Sequence, residues 1–535
     1  MNSKILCGYI EPSIHKKMGS SIRETKMLQR LLKRSVVALA GAVLLTGTLA
    51  VPAEAQKKSR VTVGVTETVG AYNPHSDSVA LMYAVWCQVY GCLGSWNFQK
   101  AKDVGMLAES WTIPDPNTWV FKLKKGLMRH DGKAELTAAD VVHSIKRIGT
   151  DKRSSQRQNV KKIKSAEALD KYTVKITTKQ PTAPLLGYVF DRVMITSKAL
   201  FDKHGSRNAD RKHHHGYGPY MLKRLRTGES VIIEKNKRWP GVKKEWPDEV
   251  IFRIMREPEQ RVTALLNGEI QIAQFVPPHL LDKVRKSKNA RIEEMGSVEL
   301  MMLLMNPAFK PWDNILLRKA VAHAIDRDSI IKNVLKGEAI KLKGPIGPLQ
   351  FGYSKNVKPT YEYNPAKARE LVKKAGYPNG IDVELYTPVG RYVNDKQVTQ
   401  AMIPMLAAVG IRAKLKTPEW STLWSNVRKG KVPFYYMGRG GMVDPSAALS
   451  QYFETGIAPR IKFSSKKVDS LLQKERQTFD LAKRKKYMND AINALMEEVP
   501  AHFLWHQKIH YGVANNVNIA IRPDKRIHGY EISVK

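Results

Sequence analysis

The sequence predicts an α/β protein in which two lobes pack around a ligand cleft. Its 535 residues are enough for two or three domains with substantial cores. Strand-like and helix-like patterns mix in both halves of the chain without a fixed repeat. No low-complexity linker separates the halves, so we expect them to pack against each other. A cleft between two such lobes is where small ligands usually bind.

The first half predicts strands and one well-marked helix. Strand-like patterns occupy four segments, namely 60–66, 119–124, 172–177 and 230–234. Thr137 and Asp140 have the spacing of a capping box, which predicts a helix that continues through Ile148.

A second α/β unit begins after about residue 300. The patterns predict helices over 316–325, 329–335 and 398–409, and strands over 381–385, 411–415 and 503–513. Asn364 and Pro365 suit the N-cap and first residue of a further helix, which Gly376 and Pro378 end. The strand–helix–strand order over 381–415 predicts a right-handed crossover between parallel strands.

Residues 1–55 contain the three parts of an export signal. Basic residues at 26–34 precede an apolar run of small residues at 35–51, and Ala53-Glu-Ala55 follows as a cleavage pattern. We therefore expect a signal peptide over about 27–55, preceded by an upstream extension and removed after Ala55. No cysteine follows the apolar run at that site, so we expect a mature chain without a lipid anchor.

The chain is strongly basic, with 89 Lys and Arg against 49 Asp and Glu and a formal charge of +40. Residues 1–55 hold eight of the basic and three of the acidic side chains, so the remainder carries +35. The densest basic runs, 161–164 and 483–486, have no interleaved aromatics on which bases could stack. We therefore expect no nucleic-acid partner. A mean hydropathy of −0.37 excludes a polytopic membrane protein.

Sequence motifs for catalysis are absent. The chain has no G-x-S-x-G, no HExxH, no paired CxxC and no phosphate-binding G-x-x-x-x-G-K-[ST] segment. We therefore predict no catalytic residue, no metal site and no cofactor, and a secreted hydrolase is only a remote alternative. For Cys87 and Cys92, a disulfide and two buried free thiols remain equally open.

One segment favours ligand contact. Residues 438–445 form a glycine-rich bend after the apolar strand 434–437, and bare backbone amides can approach a ligand there. A plain connector is the alternative. Trp420 and Trp424 are four residues apart and share one helix face, either in a core or in a binding wall.

Several spaced motifs together resemble a known family. They are 106–111 (MLAESW), 119–126 (WVFKLKKG), 130–132 (HDG), 136–147 (LTAADVVHSIKR), 216–220 (GYGPY), 317–320 (LRKA), 324–327 (AIDR), 363–368 (YNPAKA) and 375–380 (AGYPNG). In this order they resemble the dipeptide/oligopeptide/nickel class of periplasmic binding proteins, solute-binding protein family 5. The resemblance covers nearly all of residues 60–515.

The resemblance implies a periplasmic-binding-protein fold with mixed sheets and a chain that crosses twice between its lobes. Lobe 1 would take residues 56–298 together with 508–535, and lobe 2 would take 299–507. It also implies a periplasmic monomer, not an enzyme, that captures a small solute and delivers it to the ABC permease subunits of the inner membrane.

The same resemblance implies which residues line the pocket. The glycine-rich loop of lobe 2 would face an early loop of lobe 1, and the predicted ligand contacts are Arg439, Gly440, Gly441, Met442, Asp444, Tyr72, Asn73 and Trp420.

Two positions depart from the family pattern. Peptide-binding members carry an aspartate four residues before Pro445, and it pairs with the ammonium group of the peptide. Gly441 stands there in this chain, and Arg439 stands where many members have tryptophan. We therefore expect a peptide-like or carboxylate-bearing solute, with an oligopeptide or chelated nickel as alternatives. An ion pair between Arg439 and Asp444 would count against this expectation.

Overall fold

The computed structural model describes residues 58–67, 72–76, 79–98, 100, 102–440, 443–457 and 460–535. The signal-peptide prediction, and the predicted contacts Gly441 and Met442, lie outside these residues. Residues 58–535 form one compact unit.

The described chain mixes strands and helices throughout. The strands are β1 Arg60–Val65, β2 Gly94–Asn97, β3 Lys102–Gly105, β4 Ala108–Asp115, β5 Thr118–Leu123, β6 Ile163–Asp170, β7 Thr173–Thr178, β8 Tyr220–Arg226, β9 Ser230–Lys235, β10 Glu249–Ile254, β11 Ile272–Ala273, β12 Ala290–Met305, β13 Ala339–Lys341, β14 Ile381–Tyr386, β15 Ile411–Lys416, β16 Phe434–Arg439, β17 Ala501–Ala514, β18 Val517–Ile519 and β19 Ile532–Val534. The helices are α1 Ala80–Tyr90, α2 Ala138–Thr150, α3 Arg157–Val160, α4 Leu185–Val189, α5 Lys198–Lys212, α6 Pro258–Leu266, α7 Leu281–Arg285, α8 Ile315–Ala324, α9 Arg327–Asn333, α10 Pro365–Lys374, α11 Asp395–Ala407, α12 Trp420–Arg428, α13 Ser446–Phe453, α14 Lys466–Gln477 and α15 Leu481–Glu498.

One large mixed sheet runs through the molecule in the order β15-β14-β16-β12-β17-β11-β1-β10-β9-β8, with β13 paired to β17. The two longest strands, β12 and β17, lie antiparallel at its middle. A small register shift between Met301 and Met302 follows the main one, which lies between Gly296 and Leu300. A separate four-stranded sheet has the order β4-β5-β7-β6.

Two large hydrophobic cores lie on either side of this shift. One contains buried residues from Val61 to Ile272 and again from Tyr511 to Ile532, and the other runs from Leu300 to Trp505. We call the part around the first core lobe 1 and the part around the second core lobe 2. The fold is thus the predicted two-lobed α/β architecture, while the residue boundaries 298/299 and 507/508 stay a prediction.

The local sequence signals explain several elements directly. The Asn364 side chain accepts a hydrogen bond from the Lys367 amide at 2.9 Å, with Pro365 at the first helical position, as predicted for α10. The Asp140 carboxylate accepts from the Thr137 amide at 3.0 Å at the start of α2. Strands β14 and β15 pair in parallel and α11 lies between them in the chain, which confirms the predicted parallel strand–helix–strand unit; its right-handedness stays a prediction.

The lobes also contact each other away from the central strands. The Ala183 amide of lobe 1 donates to the Arg476 carbonyl of lobe 2 at 2.7 Å. The rings of Trp119 and Phe479 lie 6.2 Å apart, and Ala447 of lobe 2 is buried in the core of lobe 1. These contacts join lobe 1 to the segment of lobe 2 that begins at α13 and ends just after α14.

Cys87 and Cys92 form a disulfide, with Cα atoms 5.4 Å apart, so the structure favours the first of the two options left open by the sequence. Within the described residues, every helix is too short or too polar to span a bilayer.

Candidate functional site

The centre of the candidate site is the carboxyl end of β16. Five consecutive buried residues carry this strand through the core of lobe 2, and Arg439 is its last residue. β16 lies parallel to β14, so the loops that follow the two strands leave the same edge of the sheet. Ligands in open α/β sheets bind at such an edge. The predicted loop 440–445 therefore has a neighbour, residues 387–394, that the sequence analysis did not include.

Among the described residues, Arg439 has no acidic partner. Its Nη1 donates to the Gly440 carbonyl at 2.8 Å, and its Nη2 donates to Gln451 Oε1 at 3.0 Å. Its Nε is buried and has no hydrogen-bond partner among the described residues. Burial lowers the pKa of Arg439 to about 10; the positive charges of Arg460 and Arg192 add to this, and Tyr452 opposes it. A bound anion would stabilise the charged form of such a guanidinium and supply the missing hydrogen-bond acceptor.

Asp444 does not neutralise Arg439. Its Oδ2 lies 2.6 Å from Arg484 Nη2, and its Oδ1 accepts from the Ser446 amide at 3.1 Å at the start of α13. Asp444 therefore holds the end of the loop against α15, and the alternative of an Arg439–Asp444 pair is wrong. Gly440 is exposed, and its carbonyl accepts a hydrogen bond from Arg439.

Trp420 belongs to an aromatic wall beside Arg439. It stacks on Trp424 with ring centroids 5.8 Å apart and meets the Tyr392 ring edge-on at 6.3 Å. The Tyr392 hydroxyl donates to the Gly438 carbonyl at 3.0 Å, which ties this wall to β16. The Arg391 guanidinium lies 5.2 Å from the Trp420 ring. The wall is thus lined by cations as well as by aromatic rings.

Tyr72 and Asn73 engage the body of lobe 1. The Tyr72 hydroxyl donates to the Leu225 carbonyl at 2.9 Å, and its ring stacks on His214 at 4.7 Å. Asn73 is buried, and its Oδ1 accepts from Arg147 Nη2 at 3.1 Å. The described contacts of these two side chains do not include Arg439, so their role as ligand contacts stays a prediction.

Lobe 1 brings a different residue towards Arg439. Arg192 follows α4, and its guanidinium lies 4.6 Å from the ring of Tyr83 on α1. Its Nε is buried without a hydrogen bond among the described residues, although it lies 3.5 Å from Asp191 Oδ1. The charge of Arg192 lowers the pKa of Arg439 and Tyr83 raises it, so both residues lie close enough to Arg439 to interact with it electrostatically.

Three carboxylates near the cleft are already engaged. Asp191 pairs with Arg526, and Glu299 pairs with Lys525. Glu67 accepts a hydrogen bond from the Leu81 amide at 2.8 Å. Arg439, Arg391 and Arg460, in contrast, have no carboxylate within 4.0 Å in the part of the chain that the structure describes. The lobe 2 wall therefore carries an excess of positive charge.

Sequence reasoning missed Arg391, Gln451, Arg460 and Arg192. Arg391 could have been found by applying to strand 381–385 the general rule that ligands bind at the carboxyl ends of strands. Arg439 was predicted from the glycine-rich bend and the family resemblance instead. The other three lie in a helix or in loops without a distinguishing pattern, and only the packing of their elements brings them towards Arg439.

A possible ligand set for a metal lies away from this site. Glu294, Glu338 and His510 hold ligand atoms within 4.8 Å of one another near the β12–β17 pairing. Lys508 Nζ lies 3.4 Å from Glu338, and Arg285 Nη2 lies 3.4 Å from Glu294. These ion pairs, with the His510–Glu338 hydrogen bond at 2.9 Å, account for both carboxylates without a metal.

Comparison with known proteins identifies the family. The model of the bacterial extracellular solute-binding proteins, family 5 (Middle), matches residues 103–459. The chain belongs to this family. It is a solute-binding component of an ABC importer, as the sequence motifs implied, and the relatives that it matches are binding proteins rather than enzymes.

Family 5 relatives extend over most of the chain. The glutathione-binding protein GsiB of Escherichia coli O6:K15:H31 (strain 536) is 30% identical over 491 residues, which is 89% of this chain and 93% of that protein. GsiB of Escherichia coli strain K12 is 30% identical over 457 residues, 82% of this chain and 87% of that protein.

Solved family 5 structures share the fold. DppA of Helicobacter pylori in complex with the peptide STSA has a TM-score of 0.79 and 25% identity, and the match covers 90% of this chain and 99% of that one. AgaA of A. tumefaciens R10 in complex with agropinic acid has a TM-score of 0.76 and 25% identity, covering 89% and 99%.

Proposed function

We propose that this solute-binding protein captures a peptide-like solute that bears a carboxylate, and that the carboxylate binds Arg439. One observation carries the proposal: Arg439 is half-buried at the cleft end of β16, its Nε is buried without a hydrogen bond, and it has no acidic partner among the described residues. A bidentate carboxylate would satisfy such a group through charge-assisted hydrogen bonds.

The relatives make glutathione the first solute to test. GsiB of Escherichia coli is a glutathione-binding protein, and glutathione is a small peptide with a carboxylate at each end. AgaA, bound to agropinic acid, is a second relative with an acidic ligand. Both facts support an acidic solute for this chain.

An ammonium group is a poor ligand for the same place. Gly441 has no side chain with which to anchor an ammonium, and the positive charge of Arg439 would repel one. An oligopeptide held at its carboxyl end and chelated nickel are the alternatives. Native mass spectrometry of the purified protein distinguishes them, because the mass of a retained ligand identifies its class.

The test of the proposal is calorimetry with glutathione on Arg439 variants. Two charge-assisted hydrogen bonds of ~1.5–3 kcal/mol each hold the carboxylate, so Arg439→Ala should weaken binding about tenfold or more. Arg439→Lys should recover part of the loss, since lysine keeps the charge but not the fork. Arg412→Ala is the matched control, because Arg412 pairs with Asp382 at 2.8 Å on the exposed face of β15. Wild-type affinity in both Arg439 variants would refute the proposal.

We propose further that the protein acts as an unanchored periplasmic monomer. The export pattern over 27–55 supports this, and N-terminal sequencing of the exported protein should give a start at Gln56. We also propose that lobe 1 comprises 56–298 with 508–535 and that lobe 2 comprises 299–507. The register shift between Gly296 and Leu300 supports this division.

A further inference from the structure

A second arginine lies beside Arg439 on the wall of lobe 2. Arg460 Nη1 donates to Gln451 Oε1 at 3.2 Å, the same oxygen that accepts from Arg439 Nη2 at 3.0 Å. Two guanidiniums thus share one neutral amide oxygen, at the cleft-facing end of β16. Neither has a carboxylate within 4.0 Å among the residues that the structure describes.

Aromatic rings hold Arg460 in this position. Its guanidinium lies 4.6 Å from the ring of Tyr452 and 5.2 Å from the ring of Trp424. Gln451 and Tyr452 both lie on α13, so the helix that carries the shared amide also supports the second arginine. The aromatic faces attract the cation but do not cancel its charge.

Like charges this close repel each other, and a neutral amide oxygen compensates them only in part. The low pKa of Arg439 reflects its burial and the charges of Arg460 and Arg192. Arg192 adds positive charge from lobe 1, since Asp191 is shared between Arg192 and Arg526. A single anion between Arg439 and Arg460 would remove most of this repulsion.

We propose that Arg439, Arg460 and Gln451 form one anion subsite, in which an anionic group of the solute lies between the two guanidiniums and replaces their shared contact with Gln451. The inference rests on the proposed carboxylate-binding function and specifies it further. The excess positive charge of the subsite favours solutes with more than one anionic group. Solutes with a single carboxylate and a free ammonium are selected against.

Gln451→Glu is the decisive variant. The substitution changes the side-chain size little and puts a carboxylate where Gln451 Oε1 now bridges the two arginines. The internal carboxylate should compete with the solute and weaken glutathione binding about tenfold or more. It should also raise the melting temperature of the ligand-free protein, because its single negative charge offsets one of the two crowded positive charges. If Gln451 had a purely structural role, the substitution would not raise the melting temperature and weaken glutathione binding at the same time.

Matched variants separate the subsite from general charge effects. Gln473→Glu makes the same charge change at an exposed position of α14 and should alter neither affinity nor melting temperature. Arg460→Ala should weaken glutathione binding about as much as Arg439→Ala. The double variant should lose less than the sum of the two, since both residues hold one group.

Inorganic sulfate provides a probe that does not depend on the identity of the solute. At matched ionic strength against chloride, sulfate should stabilise the wild type and Gln473→Glu saturably, and it should not stabilise Gln451→Glu or Arg439→Ala. Calorimetry should also show that glutathione amidated at its glycine carboxylate binds more weakly than glutathione.

The outcomes distinguish the two proposals. If Arg439→Ala loses glutathione binding but Arg460→Ala and Gln451→Glu bind like wild type, the shared subsite is refuted and the proposed function stands. If sulfate stabilises as expected but glutathione does not bind, the subsite stands and the proposed solute is refuted. Wild-type behaviour of all three variants with both probes would overturn both.

Discussion

Glu475 is a fully buried carboxylate at the centre of an ion-pair network in lobe 2. Its Oε1 accepts from Arg484 Nε at 2.8 Å, and its Oε2 accepts from Ser446 Oγ at 2.8 Å. Arg484 continues the network to Asp444, at the end of the candidate ligand loop. The substitution Glu475→Gln keeps the size of the side chain, removes its charge and replaces one of its two acceptor oxygens by an NH₂ group.

The expected destabilisation follows from this geometry. Removing one partner of a buried ion pair costs ~3–5 kcal/mol, because the remaining charge is left without compensation. Arg484 keeps its 2.6 Å contact with Asp444, so we expect a smaller loss of about 2–4 kcal/mol for Glu475→Gln. With an unfolding entropy of roughly 2.1 cal/mol/K per residue, the ~480 residues after the export signal give ~1 kcal/mol/K, so the melting temperature should fall by about 2–4 °C.

Thermal and urea unfolding followed by circular dichroism measure this loss. Glu497→Gln is the control, because Glu497 is 56% exposed and pairs with Lys467 at 2.7 Å, an arrangement worth at most ~1 kcal/mol. If Glu475→Gln unfolds with the same free energy as Glu497→Gln, the network does not stabilise lobe 2 as we infer. Replacing Arg484 by methionine should then also prove neutral.

Two further predictions concern the contact between the lobes. Phe479→Ala removes the ring that lies 6.2 Å from the ring of Trp119. We expect this contact to form only in the closed protein, so the loss of ~0.5–1.5 kcal/mol should weaken solute binding about two- to tenfold. Calorimetry measures the affinity, and an unchanged value would contradict this role of the contact. Burial, and then the negative charges of Asp444 and Asp191, raise the pKa of Asp103 to about 6. A carboxyl group whose pKa is raised by folding contributes stability below pH ~4, and this contribution is lost as pH rises through 6. After allowance for solvent screening, the free energy of unfolding of the wild type should fall by about 1–2 kcal/mol between pH 4 and 7. Asp103→Asn should not show this fall. Equal pH profiles of the two proteins in urea titrations would exclude this role.

Much of the fold could be predicted from the sequence because its signals are local. The Asn364 cap and the capping box at Thr137 involve residues three apart, and strand and helix periodicities extend over single elements. The spaced motifs identified the family, and the resemblance together with the glycine-rich bend after strand 434–437 singled out Arg439. The rule that ligands bind at the carboxyl ends of strands, applied to β14, would have added Arg391.

The composition of the site could not be predicted in the same way. Asp444 does not neutralise Arg439 because it pairs with Arg484, 40 residues further along the chain. The sequence alone could not decide between these two partners. Whether Tyr72 and Asn73 reach the cleft likewise depends on packing against Leu225 and Arg147.

The sequence by itself determined that this chain is a two-lobed α/β binding protein, with an arginine and without the family's aspartate anchor in its candidate ligand loop. Only the tertiary structure decided the surroundings of that arginine. The fold placed Gln451 and Arg460 beside Arg439, and it engaged Asp444 elsewhere. The reason is physical: strands and caps form from interactions between neighbouring residues, whereas the charge of a site is the sum over side chains that only the packed elements bring together.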